Sequence, residues 1–301
     1  MSELPQIAVT GATGFVGREV VKQARAEGYP VRAIVRDPKP AERWAEQNGV
    51  ELFHGNVIYA PSLEGAFAGV KCVIHLVGII HARKENTFER VHTEATRNVL
   101  EAAKKAGVKR YLHMSALGTR TDGRSRYHQT KWAAEELVRK SGLAWTIFRP
   151  SLIYGPGDIS INVLSKIVRR APFVPVLGHG NSKIQPVSVE NVAKCFVAAI
   201  RHDDTVGKTY DLCGPAAFTW NELYDKLLAF YGLRKPKLHL PLPVARVQAA
   251  VLERVLANPP FNRDQLIMTE EDNVGDPKPA ERDFMLAQES FDLGLARYLV
   301  R

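Results

Sequence analysis

Three glycines that directly follow a short β-rich run constrain the fold of this chain more than any other feature. The run at residues 7–10 precedes Gly11, Gly14 and Gly17, and a stretch of helical character follows at residues 18–27. Glycines at this spacing permit a tight turn, a close approach of a pyrophosphate and tight packing of helix on strand. Together with the free N–H groups of a helix N-terminus, they predict a dinucleotide site rather than a turn that merely needs glycine. The residues predicted to form it are Gly11, Thr13, Gly14, Phe15, Val16, Gly17 and Arg18.

Apolar runs of strand length alternate with amphipathic helical stretches through the first half of the chain. After the glycine loop, strands are predicted at residues 31–35, 51–54, 72–77, 110–114 and 145–148, and helices at 40–47, 63–68, 87–106 and 131–140. This alternation is typical of βαβ units. It predicts an α/β fold with a doubly wound parallel sheet, whose ligand would lie at the carboxyl ends of the strands.

Proline and glycine interrupt this alternation after Pro150. Four later stretches still have helical character, at residues 162–170, 190–201, 220–231 and 244–257. With 301 residues, 45% hydrophobic and 24% charged, the composition is that of a globular protein, which excludes a disordered or fibrous chain. We therefore expect a small, mostly helical C-terminal cap on the sheet domain.

The net charge of +9 raises the question of a polyanionic partner. Three arginines occur within residues 119–126, but no aromatic residues are interleaved among them, so no nucleic-acid partner is expected. No histidine or cysteine spacing typical of a metal site occurs either, and we expect no metal. A small-molecule substrate is the expected partner, and an anionic one would suit the arginines.

The residue that follows the second strand bears on the choice of dinucleotide. In NAD-binding versions of this arrangement, an acidic side chain there accepts hydrogen bonds from the ribose hydroxyls. Here the position is Arg36, whose guanidinium can pair with a 2′-phosphate, with Arg18 as a second contact. NADP(H) is therefore favoured. Asp37 follows one residue later, so NAD(H) remains the alternative.

A tyrosine, a lysine and a serine form the candidate catalytic set. Tyr127 and Lys131 are four residues apart and share a face if the stretch is helical. A tyrosine that exchanges a proton near neutral pH needs its pKa of about 10 lowered, and a neighbouring ammonium, assisted by an oxidised nicotinamide, favours the phenolate. Ser115 closes a predicted strand at the edge where ligand is expected, and its hydroxyl can hold a substrate oxygen. The alternative for the pair is an ordinary helix surface.

Several segments together resemble the extended and atypical short-chain dehydrogenase/reductases, which include the NAD-dependent epimerase/dehydratase-like proteins. These segments are residues 10–17, 73–77, 98–103, Ser115, the Tyr127/Lys131 pair, 149–156 and 183–193. Within that family, residues 114–118 and 125–127 are similar to relatives of the NADPH-binding accessory subunit of respiratory complex I. The resemblance covers almost the whole chain.

The resemblance implies a Rossmann fold and a role for each candidate residue. Ser115 would orient the substrate carbonyl, Tyr127 would be the general acid/base, and Lys131 would bind the nicotinamide ribose. Further cofactor contacts are implied for Asn56, Val57, Val77, Gly78 and Pro150. Two positions depart from the usual pattern: Asn56 stands where an aspartate normally contacts adenine, and His92 stands where many relatives have an asparagine that supports proton transfer. His92 either relays a proton or is structural.

The resemblance also implies a division of the chain. Residues 1–156 would form the NAD(P)-binding Rossmann domain, with 183–215 returning to the edge of its sheet. Residues 157–182 and 216–301 would form the smaller substrate-binding cap.

Three functions are compatible with these features. The first is an NAD(P)-dependent oxidoreductase that transfers hydride between NADP(H) and a carbonyl or carbinol carbon. The second is a non-catalytic NADPH-binding accessory or sensor protein, which an intact Ser/Tyr/Lys set disfavours. The third is a nucleotide-sugar epimerase/dehydratase, which Arg36 disfavours because the usual cofactor of such enzymes is NAD.

The expected location is the cytoplasm. Residues 1–6 lack the layout of a signal peptide, and no eighteen apolar residues run together. Cys72, Cys195 and Cys213 are odd in number and far apart, as expected for free thiols in a reducing compartment. The broad apolar face of residues 244–257 either packs on its own domain or makes a peripheral membrane or partner-protein contact. The sequence makes no prediction of the oligomeric state.

Overall fold

Seven parallel strands form one sheet in the computed structural model, which describes residues 4–255 and 263–300. Numbered along the chain, these strands are β1 (Ile7–Thr10), β2 (Val31–Val35), β3 (Glu51–His54), β4 (Cys72–His75), β5 (Arg110–Met114), β6 (Ala144–Pro150) and β11 (Lys208–Leu212). Their order across the sheet is β11-β6-β5-β4-β1-β2-β3, with every neighbouring pair parallel. The doubly wound parallel sheet predicted from the sequence is confirmed.

The direction of winding changes between β1 and β4. From β1 the chain moves outward through β2 to β3, then returns to β4 on the other side of β1 before it continues to β5 and β6. Thr10 and His75 are register partners at the carboxyl ends of these two strands. Ligands bind open α/β sheets at such a switch point, so the candidate site is expected at this edge.

Helices cover both faces of the sheet because its central strands are apolar on both faces. Val9 joins the buried cluster on one face and Ala8 joins the cluster on the other. The helices of the first face are α1 (Phe15–Ala26), α2 (Glu42–Asn48), α6 (Val189–Ala198) and α10 (Lys278–Phe284), and those of the second are α3 (Ala95–Lys105) and α4 (Arg126–Arg139).

The start of α4 differs from the sequence prediction in a way that matters for the site. The helix begins at Arg126 rather than at Lys131. Its N-cap is Ser125, whose hydroxyl accepts a hydrogen bond from the backbone N–H of His128. Tyr127 therefore lies in the first turn of α4, one helical turn before the lysine.

Two other predicted helices also differ from the structure. The stretch 87–106 is divided, because Glu89–Glu94 form a wide π-helical turn before α3 begins. The helix predicted over 63–68 is wrong. A 3-10 turn at Ala60–Leu63 is followed by further turns, in which Gly65 has a φ angle of +74° that a helix does not allow.

A smaller, mostly helical layer is built by most of the chain after β6. Its helices are α5 (Ser160–Arg170), α7 (Trp220–Phe230), α8 (Leu242–Val255), α9 (Arg263–Thr269) and α11 (Phe291–Tyr298). Three short strand pairs accompany them: β7 (Ile153–Tyr154) with β10 (Val187–Ser188), β8 (Val174–Leu177) with β13 (Lys237–Leu240), and β9 (Lys183–Ile184) with β12 (Phe218–Thr219). Side chains of α5, α7 and α11 share one apolar cluster.

The helix predicted over 244–257 corresponds to α8, although its last two residues lie outside the described part of the chain. Ala245 and Ala249 are buried against α9, whereas Val247 is 66% exposed. None of the described helices is both long and apolar enough to cross a membrane.

Candidate functional site

The glycine loop lies between the carboxyl end of β1 and the first turn of α1. Gly11 has a φ angle of +78°, which a residue with a side chain rarely adopts. A Cβ atom on Gly17 would lie 2.1 Å from the Gly11 carbonyl oxygen, so only glycine allows the helix to pack this closely on the loop. Gly14 precedes α1 without a side-chain cap, and the helix begins at Phe15 rather than at the predicted Arg18. Its first backbone N–H groups are therefore free to bind an anion.

Open space adjoins this helix N-terminus. A groove of about 500 Å³ is lined in part by Thr13, Phe15 and Arg18, while Val16 is buried in the core. Arg18 donates a hydrogen bond from Nε to the Thr13 carbonyl at 3.1 Å, and its guanidinium lies 5.6 Å from the centre of the Trp44 ring. The sequence does not predict this contact because no local pattern links α2 to the loop.

Arg36 directly follows β2 at the same edge of the sheet. Its side chain is exposed and has no hydrogen bond or ion pair among the residues that the structure describes. Asp37 is also exposed, but its carboxylate accepts a hydrogen bond from the backbone N–H of Lys39 at 3.2 Å. The Arg36 guanidinium is therefore free to bind a ligand, whereas the Asp37 carboxylate already accepts a hydrogen bond within its own turn.

The residues expected near the adenine form a fixed turn after β3. Asn56 Oδ1 accepts a hydrogen bond from the N–H of Ile58 at 3.2 Å, and the Asn56 N–H donates to the Ser62 hydroxyl at 2.8 Å. The Val57 carbonyl accepts a hydrogen bond from the side-chain amide of Asn98, on α3, at 2.9 Å. The turn is thus held both locally and from the neighbouring helix.

Lys131 lies at the carboxyl ends of β4 and β5. Its side chain is buried, and its Nζ donates a hydrogen bond to the Met114 carbonyl at 3.0 Å. A Cβ atom on Gly78 would lie 3.0 Å from the same Nζ, so the missing side chain leaves room for the ammonium. The preceding residue, Val77, is half-buried. The fold thus brings the predicted lysine and the predicted loop after β4 together.

Tyr127 is half-buried among aromatic rings. Its ring lies edge-on to that of His92, with 5.3 Å between the centroids, and edge-on to that of Phe88 at 6.0 Å. Its hydroxyl has no hydrogen-bond partner within the described part of the chain. Packing against the neighbouring rings therefore fixes the orientation of Tyr127, and its hydroxyl remains available to a ligand.

Ser115 and Pro150 lie beside each other, just past β5 and at the end of β6. The N–H of Ser115 donates to the Phe148 carbonyl at 2.7 Å, and the N–H of Leu117 donates to the Pro150 carbonyl at 2.9 Å. These bonds continue the ladder beyond the end of β5. The Ser115 side chain is buried, and its Oγ is 3.4 Å from the hydroxyl of Thr119, a weak bond that a substrate oxygen can replace.

Burial shifts the pKa values of the tyrosine and the lysine in opposite directions. It raises the pKa of Tyr127 to about 12. It lowers the pKa of Lys131 to about 8, against the effect of the Glu135 carboxylate. Burial is the cause of the raised tyrosine pKa. The lowering expected from the sequence requires an oxidised nicotinamide as well as the ammonium, which donates its hydrogen bond to the Met114 carbonyl.

Buried histidines lie close to Lys131, and no pattern in the sequence predicts that they lie together. His75 and His113 are register partners on β4 and β5, and their rings stack with 5.6 Å between centroids. Thr10 Oγ1 lies 2.6 Å from His75 Nδ1. Burial, with a smaller contribution from the Lys131 charge, lowers the pKa of His75 to about 3. Both His75 and His113 lie at the carboxyl end of a predicted strand, and this position was the sequence signal that could have predicted their place at this edge of the sheet.

The arginines of residues 119–126 are paired with carboxylates. Arg120 contacts Glu271 at 2.8 Å and Arg124 contacts Glu270 at 3.1 Å, so the loop after β5 is linked to the chain that follows α9. Among residues 4–255 and 263–300, no group of three or more His, Cys, Asp and Glu side chains could hold a metal ion.

Comparison with known proteins now identifies the family. A protein-family model described as NAD(P)H-binding matches residues 11–203, nearly two-thirds of the chain. The chain belongs to this NAD(P)H-binding family. The match begins at the first glycine of the loop and extends past α6, so it includes Ser115, Tyr127 and Lys131.

Curated relatives of this NAD(P)H-binding protein differ in what their names describe. NADH dehydrogenase (ubiquinone) 1 alpha subcomplex subunit 9, a mitochondrial protein of Arabidopsis thaliana, is 32% identical over 84% of the chain. The match spans 64% of that relative's own length. Ceramide reductase of Caulobacter vibrioides is 31% identical over 82% of this chain and 77% of its own. The resemblance predicted from the sequence is confirmed.

Solved structures show the same fold at lower identity. The NADPH-dependent quinone oxidoreductase QOR2 of Escherichia coli, complexed with NADPH, has a TM-score of 0.78 and 21% identity, with 97% of this chain and 99% of that one covered. The dTDP-glucose 4,6-dehydratase DesIV of Streptomyces venezuelae, with NAD bound, has a TM-score of 0.77 and 20% identity, with 97% and 95% covered. These two likenesses support the Rossmann-type fold of the NAD(P)H-binding protein.

Proposed function

We propose that this chain is an NADP(H)-dependent oxidoreductase of the extended or atypical short-chain type, acting on a carbonyl or carbinol carbon. The observation that carries the proposal is the buried ammonium of Lys131, held at the carboxyl edge of the sheet one helical turn from Tyr127. An ammonium is rarely buried unless its charge has a partner, and strongly perturbed titratable groups cluster at functional sites.

The residues present fit a dinucleotide. The N–H groups at the start of α1 would bind the pyrophosphate, because no side chain caps that helix. Arg36 and Arg18 would pair with a 2′-phosphate, and the free charge of Arg36 supports NADP(H) over NAD(H). Lys131 would bind the nicotinamide ribose. The other proposed contacts come from Gly11, Thr13, Gly14, Phe15, Val16, Gly17, Asn56, Val57, Val77, Gly78 and Pro150.

Tyr127 is the proposed proton donor in the reduction of a carbonyl. A nicotinamide held by these residues would supply the hydride that reduces the carbonyl carbon. The hydroxyl of Tyr127, whose pKa is raised to about 12, stays protonated at neutral pH and donates its proton to the oxygen, which completes the alcohol. The Ser115 hydroxyl donates a hydrogen bond to the same oxygen and stabilises its developing negative charge. In the reverse direction the same side chain, as the phenolate, accepts the proton of the alcohol.

A second candidate is a non-catalytic NADPH-binding accessory or sensor protein. The similarity to a mitochondrial NADH dehydrogenase subunit favours it. A partner protein or membrane surface would then contact α8, whose Val247 is exposed. A nucleotide-sugar epimerase/dehydratase is the third candidate, and Arg36 in place of the NAD-binding acid disfavours it.

The remaining parts of the chain receive roles in the same proposal. Residues 1–156 and 183–215 hold the cofactor, and residues 157–182 and 216–301, apart from α10 on the face of the sheet, select a small-molecule substrate. The cysteines Cys72, Cys195 and Cys213 are buried free thiols, which supports a reducing compartment such as the cytoplasm.

Two measurements on the purified chain test the proposal. We expect fluorescence titration to give tighter binding of NADPH than of NADH. On a panel of carbonyl compounds, we expect Ser115→Ala to lower NADPH-dependent turnover about 100-fold, because an oxyanion donor is lost, without weakening NADPH binding. Ser165→Ala, which removes another buried serine hydroxyl, is the control. Tight NADPH binding with no turnover that depends on Ser115 would instead support the accessory-protein candidate.

A further inference from the structure

His92 lies where the helix of Tyr127 and Lys131 approaches the loop after β4. It belongs to the π-helical turn Glu89–Glu94, and its side chain is only 1% exposed. Such turns insert an extra residue into a helix and are frequent at functional sites. The turn directs the imidazole between α4 and residues 77–79.

Both imidazole nitrogens are hydrogen-bonded. Nδ1 lies 2.9 Å from Thr130 Oγ1 on α4, and Nε2 lies 3.1 Å from both the backbone N–H and the carbonyl of Ile79. A neutral imidazole has one donor and one acceptor nitrogen, and either tautomer can bond to both partners. The ring therefore joins α4 to the loop whichever nitrogen carries the proton.

The imidazole also contacts the residues proposed to act on the ligand. It packs edge-on against the ring of Tyr127. A Cβ atom on Gly78 would lie 3.6 Å from His92 Nε2 and 3.0 Å from Lys131 Nζ, so the imidazole and the ammonium flank the same glycine. Phe88 stacks on the imidazole at 5.5 Å and covers it.

We propose that His92 is a positioning residue that fixes the loop carrying Gly78 and Ile79 against the helix carrying Tyr127 and Lys131. The proposal deepens the proposed function but concerns how the cofactor pocket is held in shape. It assigns no proton transfer to the histidine. Both bonding partners of the imidazole are uncharged groups, and burial, followed by the Lys131 charge, lowers the pKa of His92 to about 2.

The first test measures cofactor affinity and needs no substrate. The titrant is whichever of NADPH and NADH binds the wild type more tightly. We expect His92→Phe, which keeps a ring beside Tyr127 but loses both hydrogen bonds, to weaken binding about 10-fold, the size of one buried hydrogen bond. Thr130→Val should have a similar effect. The double variant should be no worse than His92→Phe, since both changes remove the same link.

Thr93→Val is the matched control. Thr93 donates a hydrogen bond from Oγ1 to the Thr130 carbonyl at 3.1 Å, so it also joins the π-helical turn to α4, but it does not reach the loop. We expect its cofactor affinity to equal that of the wild type. If Thr93→Val weakened binding as much as Thr130→Val, the contact would be merely structural and the proposal would fail. It would also fail if His92→Phe bound the cofactor as tightly as the wild type.

A spectroscopic test separates positioning from proton relay. In protein labelled with ¹⁵N-histidine, the His92 signals should show one neutral tautomer throughout the range from about pH 5 to pH 8, where free imidazole titrates. Titration of His92 in that range would overturn the proposal. His92→Gln, which can bond to both partners without a titratable group, should restore most of the affinity. Neither readout depends on turnover, so a failure of the oxidoreductase proposal would be seen separately, in the Ser115→Ala assay.

Discussion

The two sides of the candidate site are built in opposite ways. On the open side, formed by Gly14, Arg18 and Arg36, the charged groups and backbone N–H groups are exposed, and the Arg36 charge is unpaired among the described residues. The closed side consists of Tyr127, Lys131, His75, His92 and His113, and of these Lys131 and His92 are both buried and hydrogen-bonded within the protein. The open side therefore has unpaired charge and free space that a ligand can fill, whereas the side chains of the closed side are held in position by the protein itself. Substitutions of the charged groups on the open side should therefore change cofactor affinity through direct contacts. Substitutions on the closed side should change rate or stability, or change affinity indirectly through the shape of the pocket.

The largest expected effect tests the closed side. Tyr127→Phe removes the proposed proton donor but keeps the ring that packs against His92. We expect NADPH-dependent carbonyl reduction to fall by about 10²- to 10⁴-fold, the usual contribution of a general acid. The dissociation constant for NADPH should stay within about two-fold of the wild-type value, because a phenol hydroxyl that makes no bond to the cofactor adds little affinity. Steady-state kinetics and fluorescence titration measure the two quantities.

Tyr59→Phe is the control for this substitution, since its side chain is 60% exposed and lies outside the proposed catalytic set. Equal loss of NADPH binding and of turnover in Tyr127→Phe would place the tyrosine among the affinity groups. The distinction between the two sides would then be lost.

Two glycines of the loop allow a paired test of the open side. A Cβ atom on Gly17 would lie 2.1 Å from the Gly11 carbonyl oxygen, whereas one on Gly14 would lie 3.2 Å from it. We expect Gly17→Ala to lower the free energy of unfolding by about 3 kcal/mol, because backbone must move. Gly14→Ala should cost only about 1 kcal/mol of stability. Gly14→Ala should also weaken NADPH binding, because the added methyl group would lie at the anion site. Urea unfolding and cofactor titration measure both variants, and equal loss of stability in the two would contradict the prediction.

The open side was largely predictable from the sequence, and the reason is local. A glycine loop between a strand and a helix requires only the residues 10–17 themselves, and Arg36 needs only the end of β2 to be placed. The alternation of elements, together with the rule for right-handed crossovers, predicted the doubly wound parallel sheet but not the order of its strands. The parallel sheet was therefore within reach of sequence reasoning.

The closed side was predictable only in part, because its contacts join distant segments. The pair Tyr127 and Lys131 was found from its spacing, but His92 bonds to Thr130 across 38 positions and to Ile79 across 13. The π-helical turn that directs this histidine inward has no sequence signature in the periodicity, which predicted one helix over 87–106. Burial raises the pKa of Tyr127, and this burial depends on contacts between distant segments that the sequence does not show. The lowering predicted from the sequence also requires an oxidised nicotinamide.

A charge substitution measures how much the open side contributes to the choice of cofactor. Arg36→Ala should weaken NADPH binding about 10- to 100-fold, the value of one hydrogen bond between charged groups, and leave NADH binding unchanged. Arg170→Ala, which removes an exposed arginine at the end of α5, makes the same change in net charge and should affect neither cofactor. Parallel titrations at one ionic strength provide the comparison. If NADH bound more tightly than NADPH to the wild type, the assignment of Arg36 to a 2′-phosphate would be withdrawn.

The free energy of unfolding should also depend on pH through the buried histidines of the closed side. His75, His92 and His113 are buried, and burial lowers the pKa of each well below that of an unfolded histidine. Below about pH 6.5 the unfolded chain binds protons that the folded chain cannot, so the free energy of unfolding falls as the pH falls, by about 1.4 kcal/mol per pH unit for each histidine. The loss begins near the unfolded pKa and extends down toward pH 3, the value about which His75 titrates in the folded protein.

His113→Leu isolates one of these three contributions. Both nitrogens of His113 lack a hydrogen-bond partner among the described residues, so the change should leave stability at pH 8 unaltered or slightly raised. Between pH 6 and pH 5 it should reduce the pH dependence by about 1.4 kcal/mol per pH unit, one third of the total from the three histidines. Urea unfolding at each pH measures the slope, with His54→Gln as the control, since His54 is exposed. An unchanged slope in His113→Leu would mean that this imidazole is protonated in the folded chain, and the closed side would then hold a second cation beside Lys131.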